Sequence, residues 1–497
     1  MRYTISPADM KRCETDFMVR TGTPGALLME HAAMAVCKAA AQYVPASACV
    51  LFICGPGNNG GDGYCAARLW KQGGGRSVVV EISDHVQGDA LMNRKLCLIE
   101  QIPLLRAMDT EELPACELIV DALFGTGLSH APEGTALRLI RQMNASGKPI
   151  VAVDIPSGVN GQDGTIPSEA VTAVETVTFH RPKHGLLLGR GAEACGKMTV
   201  APLIIPADWG EDPGMRMMTA DDAHATAVKR PVRGHKGTFG KTVILAGSTG
   251  MAGAAAFCAR AAVKTGSGLT AVLCRPAVLP VVQTLCPAAV GIELPEENGR
   301  LTAEAQAIVH MQLKTADAAV IGCGLGQTDD LLPLLVAFRA SACPVVWDAD
   351  ALNLLAAYRE LLPLPAHHVI TPHPGEAARL LGMTVSEVTG DMLHALHALR
   401  HTTGAHVLLK DARTLMTDGA ETAVNPIGTP ALGKGGSGDI LSGVLGALLA
   451  QRSVLGSDTL TLMQLAAYVH ADAGVRAAEA LGEYCVTPED VIASIRL

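Results

Sequence analysis

Short apolar runs alternate with helical patterns along the whole chain, and this alternation predicts a parallel α/β fold. In the first half, apolar runs predict strands at 50–54, 77–82, 118–121 and 149–154, with helical periodicity near 89–101 and 133–144. In the second half, strand-like runs lie at 242–246, 269–274, 318–322, 344–347, 368–371 and 406–410. Continuously apolar strands are typical of parallel sheets that helices cover on both faces. We therefore expect doubly wound α/β layers.

One glycine-rich stretch, Gly433-Lys434-Gly435-Gly436-Ser437-Gly438-Asp439, leads directly into a helical pattern with apolar residues at 440, 441, 444, 445, 448 and 449. A glycine loop that opens a helix presents unpaired N–H groups and the positive end of the helix dipole, which suits a phosphate. A carboxylate beside such a site repels the anion. We therefore interpret Asp439 as a base that takes a proton from a hydroxyl next to the phosphate. A glycine C-cap followed by an Asp N-cap is the structural alternative.

The length of 497 residues predicts two or three domains rather than one core. Strand periodicity is lost between 206 and 234, where prolines and charged residues gather. We place the boundary there, with domains at 1–217 and 218–497.

Composition limits the class of partner. The net charge is −9 with no basic tract, which argues against nucleic acid and anionic membranes. The longest apolar run is far short of the roughly 20 residues of a membrane helix, and Asp9, Glu14 and Asp16 stand where a signal peptide is apolar. The cysteines form no metal-binding pattern and lie mostly in apolar runs, as in a reducing compartment. We expect a cytoplasmic homo-oligomer that acts on small molecules.

Three loops of the first half carry oxygen ligands directly after predicted strands. They begin at Gly55, Asp121 and Asp154. Loops at the carboxyl ends of parallel strands line the ligand crevice, so Asn59, Asp121 and Ser157 are candidates to converge. Hard oxygen ligands of low total charge suit a monovalent or weakly held cation better than zinc. Each Asp taken alone is equally well explained as a helix N-cap.

Loops of the second half have the same arrangement. Candidate ligand loops follow the strands at Gly247, Gly322, Asp348 and Thr371, and the stretch 433–439 adds a fifth. His373 stands between two prolines, which hold it in a rigid turn suited to a ligand contact. Five such loops at one edge of a sheet predict a large site.

The first-half motifs at 57–63, 121–128, 154–158 and 178–185 resemble the NAD(P)H-hydrate epimerase domain over roughly residues 10 to 210. The resemblance implies a Rossmann-like fold with a potassium ion held by Asn59, Asp121 and Ser157. It implies substrate contacts from Asn58, Asn59, Gly60, Gly61, Asp62, Gly125, Thr126, Gly127, Leu128, Ser129, His130, Ala131 and Asp154. For Asp154, a role in proton transfer and a role as a cap or ribose contact both stay open.

The second-half motifs resemble ADP- or ATP-dependent NAD(P)H-hydrate dehydratase, a ribokinase-like α/β fold, from about Gly234 onward. The resemblance identifies 435–439 with the anion hole and catalytic aspartate, Asp439. It implies nucleotide contacts from Lys410, Asp411, Ala412, Arg413, Thr414 and Gly438, and substrate contacts from Ala254, Gly324, His373 and Asp439. Asp411 stands where that family commonly has glycine, which puts the local nucleotide contact in question.

Together the two resemblances imply one repair pathway. The first domain interconverts the R and S forms of hydrated NADH or NADPH, and the second dehydrates the S form with ADP, or ATP, and Mg²⁺. Two other classes stay open. One is a small-molecule kinase of the ribokinase-like type; the other is a first domain that only senses dinucleotides.

Overall fold

The computed structural model describes residues 2–128, 130–210 and 214–497, which form two compact units. The first unit is Tyr3–Met215, and the second consists chiefly of Arg216–Leu497. The predicted substrate contact at Ser129 lies outside the described residues. No helix of the described ranges is long and apolar enough to cross a membrane.

The first unit contains a seven-stranded sheet and helical layers. A two-residue strand, β1 (Arg2–Tyr3), lies before it in the chain and is not part of this sheet. The strands of the sheet are β2 (Cys49–Cys54), β3 (Arg76–Glu81), β4 (Leu104–Arg106), β5 (Leu118–Ala122), β6 (Ile150–Val153), β7 (Glu175–Phe179) and β8 (Lys197–Ala201). Its helices are α1 (Pro7–Thr21), α2 (Gly25–Ala40), α3 (Asn58–Gln72), α4 (Gly88–Ile99), α5 (Gly134–Ala145) and α6 (Gly189–Ala194).

The sheet of the first unit is entirely parallel, with the order β4-β3-β2-β5-β6-β7-β8. The predicted parallel α/β fold is therefore confirmed. Strands β7 and β8 do not follow from the apolar pattern, because polar residues interrupt both runs. In β7 the buried Glu175 accepts hydrogen bonds from Tyr43 and Thr199, so a polar strand is tolerated inside the sheet.

Helix α3 begins directly against the strand ends of this sheet. A Cβ at Gly60 would collide with the carbonyl oxygen of Gly55, and one at Gly63 would lie 2.6 Å from Ala122 Cβ. Glycine is required at both positions because the helix approaches the backbone so closely. The first turn of α3, which holds the Asn58–Asp62 run, is thereby fixed at the carboxyl edge of the sheet.

The second unit has a larger set of elements. Its strands are β9 (Arg216–Met217), β10 (Lys241–Leu245), β11 (Leu269–Cys274), β12 (Val290–Glu293), β13 (Glu296–Glu297), β14 (Arg300–Leu301), β15 (Ala318–Ile321), β16 (Val345–Trp347), β17 (Val369–Ile370), β18 (His406–Leu409), β19 (Leu415–Thr417) and β20 (Thr422–Val424). Its helices are α7 (Ala220–Thr226), α8 (Ala252–Lys264), α9 (Leu279–Leu285), α10 (Ala303–Leu313), α11 (Leu332–Arg339), α12 (Asp350–Ala357), α13 (Pro374–Leu381), α14 (Val385–Gly390), α15 (Met392–Thr403), α16 (Ser437–Ala450), α17 (Arg452–Leu455), α18 (Thr459–Leu481) and α19 (Pro488–Ser494).

The main sheet of this unit runs β9-β20-β19-β18-β17-β16-β15-β10-β11-β12. The neighbouring strands β18, β17, β16, β15, β10, β11 and β12 are parallel to one another. Strand β19 is antiparallel to both of its neighbours, β18 and β20. The predicted nucleotide segment 410–414 joins β18 to β19 and is therefore the loop of a β-hairpin. The next turn, between β19 and β20, is closed by Asp418, which accepts from the N–H groups of Ala420 and Glu421.

Helix α16 lies in the centre of the second unit, and its residues 440–450 are all buried. A Cβ at Gly443 would collide with the carbonyl oxygen of Cys258 in α8, and one at Gly446 with the side chain of Val320 in β15. These close approaches hold α16 between a helix and the sheet. The N-terminus of α16 is therefore fixed near the ends of β15 and β16.

The segment 206–234, in which the sequence loses strand periodicity, contains regular structure. It contains β9 and α7, whose Thr219 and Asp222 form a reciprocal capping box. Two-residue strands and short helices are below the length at which periodicity is visible in a sequence.

Candidate active sites

An oxygen-rich cluster in the first unit is built around Asp121, which lies fully buried at the end of β5. Its Oδ1 accepts the Ser157 hydroxyl at 2.6 Å, and its Oδ2 accepts the Ser157 backbone N–H at 2.8 Å. Burial raises the pKa of Asp121 to about 6, although the hydrogen bonds from Ser157 and Leu123 oppose this rise. Among the described residues, no cationic side chain forms an ion pair with Asp121.

Asn59 reaches the same cluster through the loop after β5. A Cβ at Gly125 would lie 2.8 Å from Asn59 Oδ1, and the preceding residue, Phe124, donates its N–H to Ser157 Oγ at 2.9 Å. The Asn59 amide nitrogen is buried and has no hydrogen-bond partner within the described ranges. The three residues predicted to hold a cation therefore lie at neighbouring positions, on the first turn of α3, at the end of β5 and in the loop after β6.

Asp154, at the end of β6, forms a buried ion pair. Its Oδ1 lies 2.6 Å from Lys183 Nζ and accepts the Thr178 hydroxyl at 3.1 Å. Lys183 is fully buried. Asp154 also has φ of 65°, a left-handed conformation that is uncommon for residues other than glycine and often occurs at functional sites.

Two further carboxyl groups respond to this ion pair. Burial raises the pKa of Asp62 well above its ordinary value; the charges of Asp154 and Glu14 raise it further, and that of Lys183 lowers it. Burial likewise raises the pKa of Glu14, with Lys183 opposing and Asp154 adding to the effect. Three carboxyl groups thus share the field of one lysine. Sequence reasoning did not identify Lys183 or Glu14 as site residues, although Lys183 lies within the 178–185 motif.

The remaining predicted contacts of the first unit fall on two segments. The residues from Asn58 to Asp62 form the first turn of α3, and Gly125 to Leu128, His130 and Ala131 lie between β5 and α5. Both segments begin at the carboxyl ends of neighbouring strands, β2 and β5. The structure therefore brings the predicted substrate segments to one edge of the sheet.

The second unit has its own buried charge cluster, centred on Asp348 at the end of β16. Asp348 is 1% exposed, and its two oxygens accept from Lys410 Nζ and from Ser442 Oγ, each at 2.7 Å. Lys410 Nζ also lies 3.9 Å from Glu376 Oε2. The cluster joins the ends of β16 and β18 to helices α13 and α16.

Asp439 lies in the first turn of α16, whose N-cap, Gly436, has φ of 99°. Burial and the charge of Asp348 raise the pKa of Asp439 to about 6, while a hydrogen bond with Cys323 and the charge of Lys410 oppose the rise. Ligand atoms of Cys323, Asp348 and Asp439 all lie within 4.8 Å of one another. A carboxyl group with a pKa near neutrality is suited to accept a proton.

The predicted substrate contacts of the second unit surround this cluster. A Cβ at Gly324 would lie 2.8 Å from Ala254 Cβ, so these two positions are adjacent. His373 caps α13: its Nδ1 accepts the Gly375 N–H at 3.0 Å, and its Nε2 lies 3.4 Å from Glu376 Oε1. Burial and the charge of Lys410 lower the pKa of His373.

The predicted nucleotide residues divide into two groups. Lys410 points to the Asp348 cluster, and a Cβ at Gly438 would lie 3.4 Å from Lys410 Nζ. Asp411 and Ala412 are exposed in the hairpin loop, whereas Arg413 and Thr414 are half-buried. Only Lys410 and Gly438 of this set therefore meet beside Asp439.

His470 is a site neighbour that sequence reasoning missed. It is buried on α18, and its Nε2 lies 3.2 Å from the hydroxyl of Ser437, the first residue of α16. Burial and the charge of Lys410 lower the pKa of His470 to about 4, so the imidazole is neutral near pH 7. A neutral His470 either accepts a hydrogen bond from the Ser437 hydroxyl or donates one to its oxygen, depending on the tautomer of the imidazole.

Comparison with known proteins agrees with this division into two sites. Residues 242–496 match the family model for NAD(P)H-hydrate dehydratase, and residues 25–185 match the model for the YjeF-related protein N-terminus. A solved ribokinase-like superfamily protein from Enterococcus faecalis V583 superposes with a TM-score of 0.51 at 25% identity. The superposition covers 57% of this chain and 95% of the Enterococcus faecalis chain. The predicted ribokinase-like fold is therefore confirmed.

Two curated relatives extend over both units. The bifunctional NAD(P)H-hydrate repair enzyme Nnr of Coxiella burnetii is 34% identical over 484 residues, with 96% of each chain covered. The Nnr of Escherichia coli K12 is 36% identical over 433 residues, covering 85% of this chain and 79% of the relative. These matches confirm the resemblance predicted from the motifs: the chain belongs to the family of bifunctional NAD(P)H-hydrate repair enzymes.

Proposed function

We propose that each unit carries out one of two consecutive repair reactions. The first domain, 1–217, epimerises the R and S forms of hydrated NADH and NADPH. The second domain, 218–497, dehydrates the S form with ADP and releases NAD(P)H, AMP and phosphate. The single observation that carries the proposal is the position of Asp439. This carboxyl group, whose pKa is raised to about 6, lies in the first turn of a helix with a glycine N-cap.

In the dehydration, Asp439 removes the proton of the substrate hydroxyl while the oxygen attacks the terminal phosphoryl of ADP. Hydroxide is a poor leaving group and phosphate a good one, so the C6–O bond then breaks with loss of phosphate. The ring nitrogen stabilises the resulting cation, and loss of a proton from C5 restores the double bond. Ala254, Gly324 and His373 would position the substrate for this step.

The nucleotide is held by charge and by backbone groups. The N–H groups at the N-terminus of α16, including that of Gly438, would bind a phosphate of the nucleotide, and the positive end of the helix dipole would favour its negative charge. Lys410 adds a positive charge beside Gly438. The hairpin residues Asp411 to Thr414 would contact the rest of the nucleotide, and Asp411 would do so in place of the usual glycine.

A magnesium ion fits the charges of this site. The Asp348 charge raises the pKa of Asp439, which means that the two carboxylates repel each other when both are ionised. A divalent cation held by hard carboxylate oxygens relieves this repulsion. When bound, the ion would neutralise charge on the transferring phosphoryl group.

In the epimerisation, the C6 hydroxyl takes up a proton from solvent and leaves as water, and a second water then adds to the opposite face of the ring and gives one proton back. The carboxylate of Asp154 would stabilise the cationic ring between these steps and carry the proton released by the incoming water. Asn58 to Asp62, and the loop from Gly125 to Ala131, would enclose the substrate.

Potassium fits the Asp121 cluster for an electrostatic reason. A buried carboxylate without a cationic partner is costly, and none of the described side chains supplies one to Asp121. Asn59, Asp121 and Ser157 offer oxygen ligands with a single formal charge, which suits a monovalent ion. When bound, potassium would supply the missing positive charge.

The proposal is tested by mixing the purified protein with separated epimers of hydrated NADH and with ADP, with ATP or without nucleotide. The expected result is a nucleotide-dependent return of reduced-nicotinamide absorbance from both epimers, with AMP and phosphate released from ADP. A stable phosphorylated product without recovered absorbance would instead identify a kinase. Repair of the S epimer alone would assign the first domain a sensing role. A homo-oligomeric state and a cytoplasmic location remain predictions.

A further inference from the structure

Lys183 uses all of its hydrogen-bonding capacity inside the first unit. Its ammonium group contacts Asp154 Oδ1 at 2.6 Å, the carbonyl oxygen of Phe179 at 3.0 Å and Thr178 Oγ1 at 3.3 Å. An ammonium has three N–H donors, and these three acceptors account for them. Lys183 therefore has no donor left for a substrate, and its contacts serve the protein.

Both ends of the ion pair are fixed by backbone contacts. Ile5 donates its N–H to the carbonyl of Pro182 at 2.8 Å and forms a bridge with Lys183 itself. The Asp154 N–H is bonded to the carbonyl of Val177 at 2.8 Å. Because neither backbone is free to shift, the length and direction of the ion pair are fixed by the fold.

The contacts on Asp154 are unequal. Lys183 and Thr178 both bind Oδ1, whereas Oδ2 accepts no hydrogen bond from the part of the chain that the structure describes. The Asp154 side chain is 10% exposed, so it is not sealed inside the protein. One oxygen is thus anchored and the other is available to a ligand.

Other carboxyl groups face this ion pair from two further elements. Glu14 of α1 and Asp62 of α3 act on Asp154 from two other elements, and both are carboxyl groups. The positive charge of Lys183 lowers the pKa of both. Without it, three carboxyl groups would share a poorly solvated space, and proton uptake would relieve their repulsion.

We propose that Lys183 is the positioning residue of the epimerase site, which holds Asp154 through Oδ1 and directs Oδ2 toward the reacting carbon. This inference rests on the proposed role of Asp154 in epimerisation. It assigns to Lys183 no contact with the substrate. A change at Lys183 is therefore expected to alter turnover and its dependence on pH more than substrate binding.

The test uses the full-length protein with Lys183→Met and the R epimer of hydrated NADH. Epimerisation is followed by chromatography without nucleotide, so that dehydration cannot remove the product. We expect kcat to fall on the order of 10²-fold, the loss typical of a displaced catalytic group, with KM within about threefold. Activity should recover in part at higher pH, because the Lys183 charge lowers the pKa of Glu14 and Asp62 and its loss should shift the pH profile upward.

Two conservative variants separate positioning from folding. Lys183→Arg keeps the charge and should retain more activity than Lys183→Met, without the shift in pH dependence. Thr178→Val removes one contact to Oδ1 but no charge, and we expect a several-fold loss of kcat at constant KM, since one hydrogen bond contributes about 1 kcal/mol. These two variants decide the question if Lys183→Met does not fold.

Lys197→Met is the matched control, because Lys197 also pairs with a buried carboxylate, Glu175 at 3.3 Å, within the same sheet. It should leave epimerisation unchanged. The inference is overturned if the Lys183 and Thr178 variants keep the wild-type kcat and pH profile. It is also overturned if Lys183→Arg and Lys183→Met lose activity equally at every pH. Full epimerase activity in Asp154→Ala would instead refute the proposed role of Asp154.

Discussion

The ammonium group of Lys410 lies 2.7 Å from Asp348 Oδ1, and this ion pair of a half-buried lysine with a buried carboxylate lies beside the first turn of α16. It links the end of β18 to the end of β16. Ser442 of α16 donates to the other oxygen of Asp348 at 2.7 Å, so the pair also fixes the helix that carries Asp439. Lys410 therefore has a structural partner as well as its proposed phosphate contact.

Lys410→Met should both destabilise the second unit and abolish dehydration. Removing one partner of a buried ion pair leaves an uncompensated charge, which typically costs about 3–5 kcal/mol. Urea unfolding measures this loss. The double variant Lys410→Met with Asp348→Asn should recover most of the stability without recovering activity. Equal instability of the single and double variants would contradict this assignment.

Asp439→Asn should remove dehydration and preserve binding, because the shape of the side chain is kept and only the base is lost. A well-placed base contributes on the order of 10²–10⁴ in rate. Turnover of the S epimer and the affinity for ADP, measured by calorimetry, check this prediction. If the variant keeps more than about a tenth of the wild-type turnover, Asp439 is not the base.

Dehydration should decline as the pH falls through about 6, the value to which burial and the Asp348 charge raise the pKa of Asp439. The base must be ionised to accept a proton, so activity is present above this pKa and is lost below it. The rate with the S epimer at saturating ADP, measured between pH 5 and 8, tests this. A rate that is constant across this range would show that Asp439 does not titrate as the base.

Replacing potassium with a large organic cation should slow epimerisation and affect dehydration less. The Asp121 cluster offers one charged ligand and few others, so the ion should be weakly held and should depend on the salt present. Parallel assays of both reactions in the two salts measure the difference. Equal losses in both reactions would argue against a potassium site confined to the first unit.

The sequence alone identified those site residues that lie within a recognisable local motif. Asp439 follows a glycine loop and precedes a helical pattern, and Asp121, Ser157 and Asp154 directly follow strands. The supporting partners lack such a local signal. Lys183 and Asp154 are 29 residues apart, Ser442 and Asp348 are 94 apart, and Ser437 and His470 are 33 apart. Only the fold brings these pairs together.

The same limit applies to the strands. Apolar runs identified the central parallel strands, which are buried on both faces. Strand β7 was not predicted because its Glu175, Thr176 and Thr178 are polar, and yet all three are buried. Thr176 donates to the carbonyl of Cys195 at 2.7 Å, and Thr178 donates to Asp154. Their polarity therefore reflects long-range partners and part of the site rather than exposure.

The central claim, that the two sites act in sequence on one substrate, is tested most directly by mixing two variants that each lack one of the two activities. Asp154→Ala should repair the S epimer but consume the R epimer only at its unaided rate, and Asp439→Asn should epimerise without repair. With ADP present, an equimolar mixture should repair the R epimer faster than either variant alone, because the S form made by one is dehydrated by the other. A mixture no faster than Asp154→Ala alone would contradict the account.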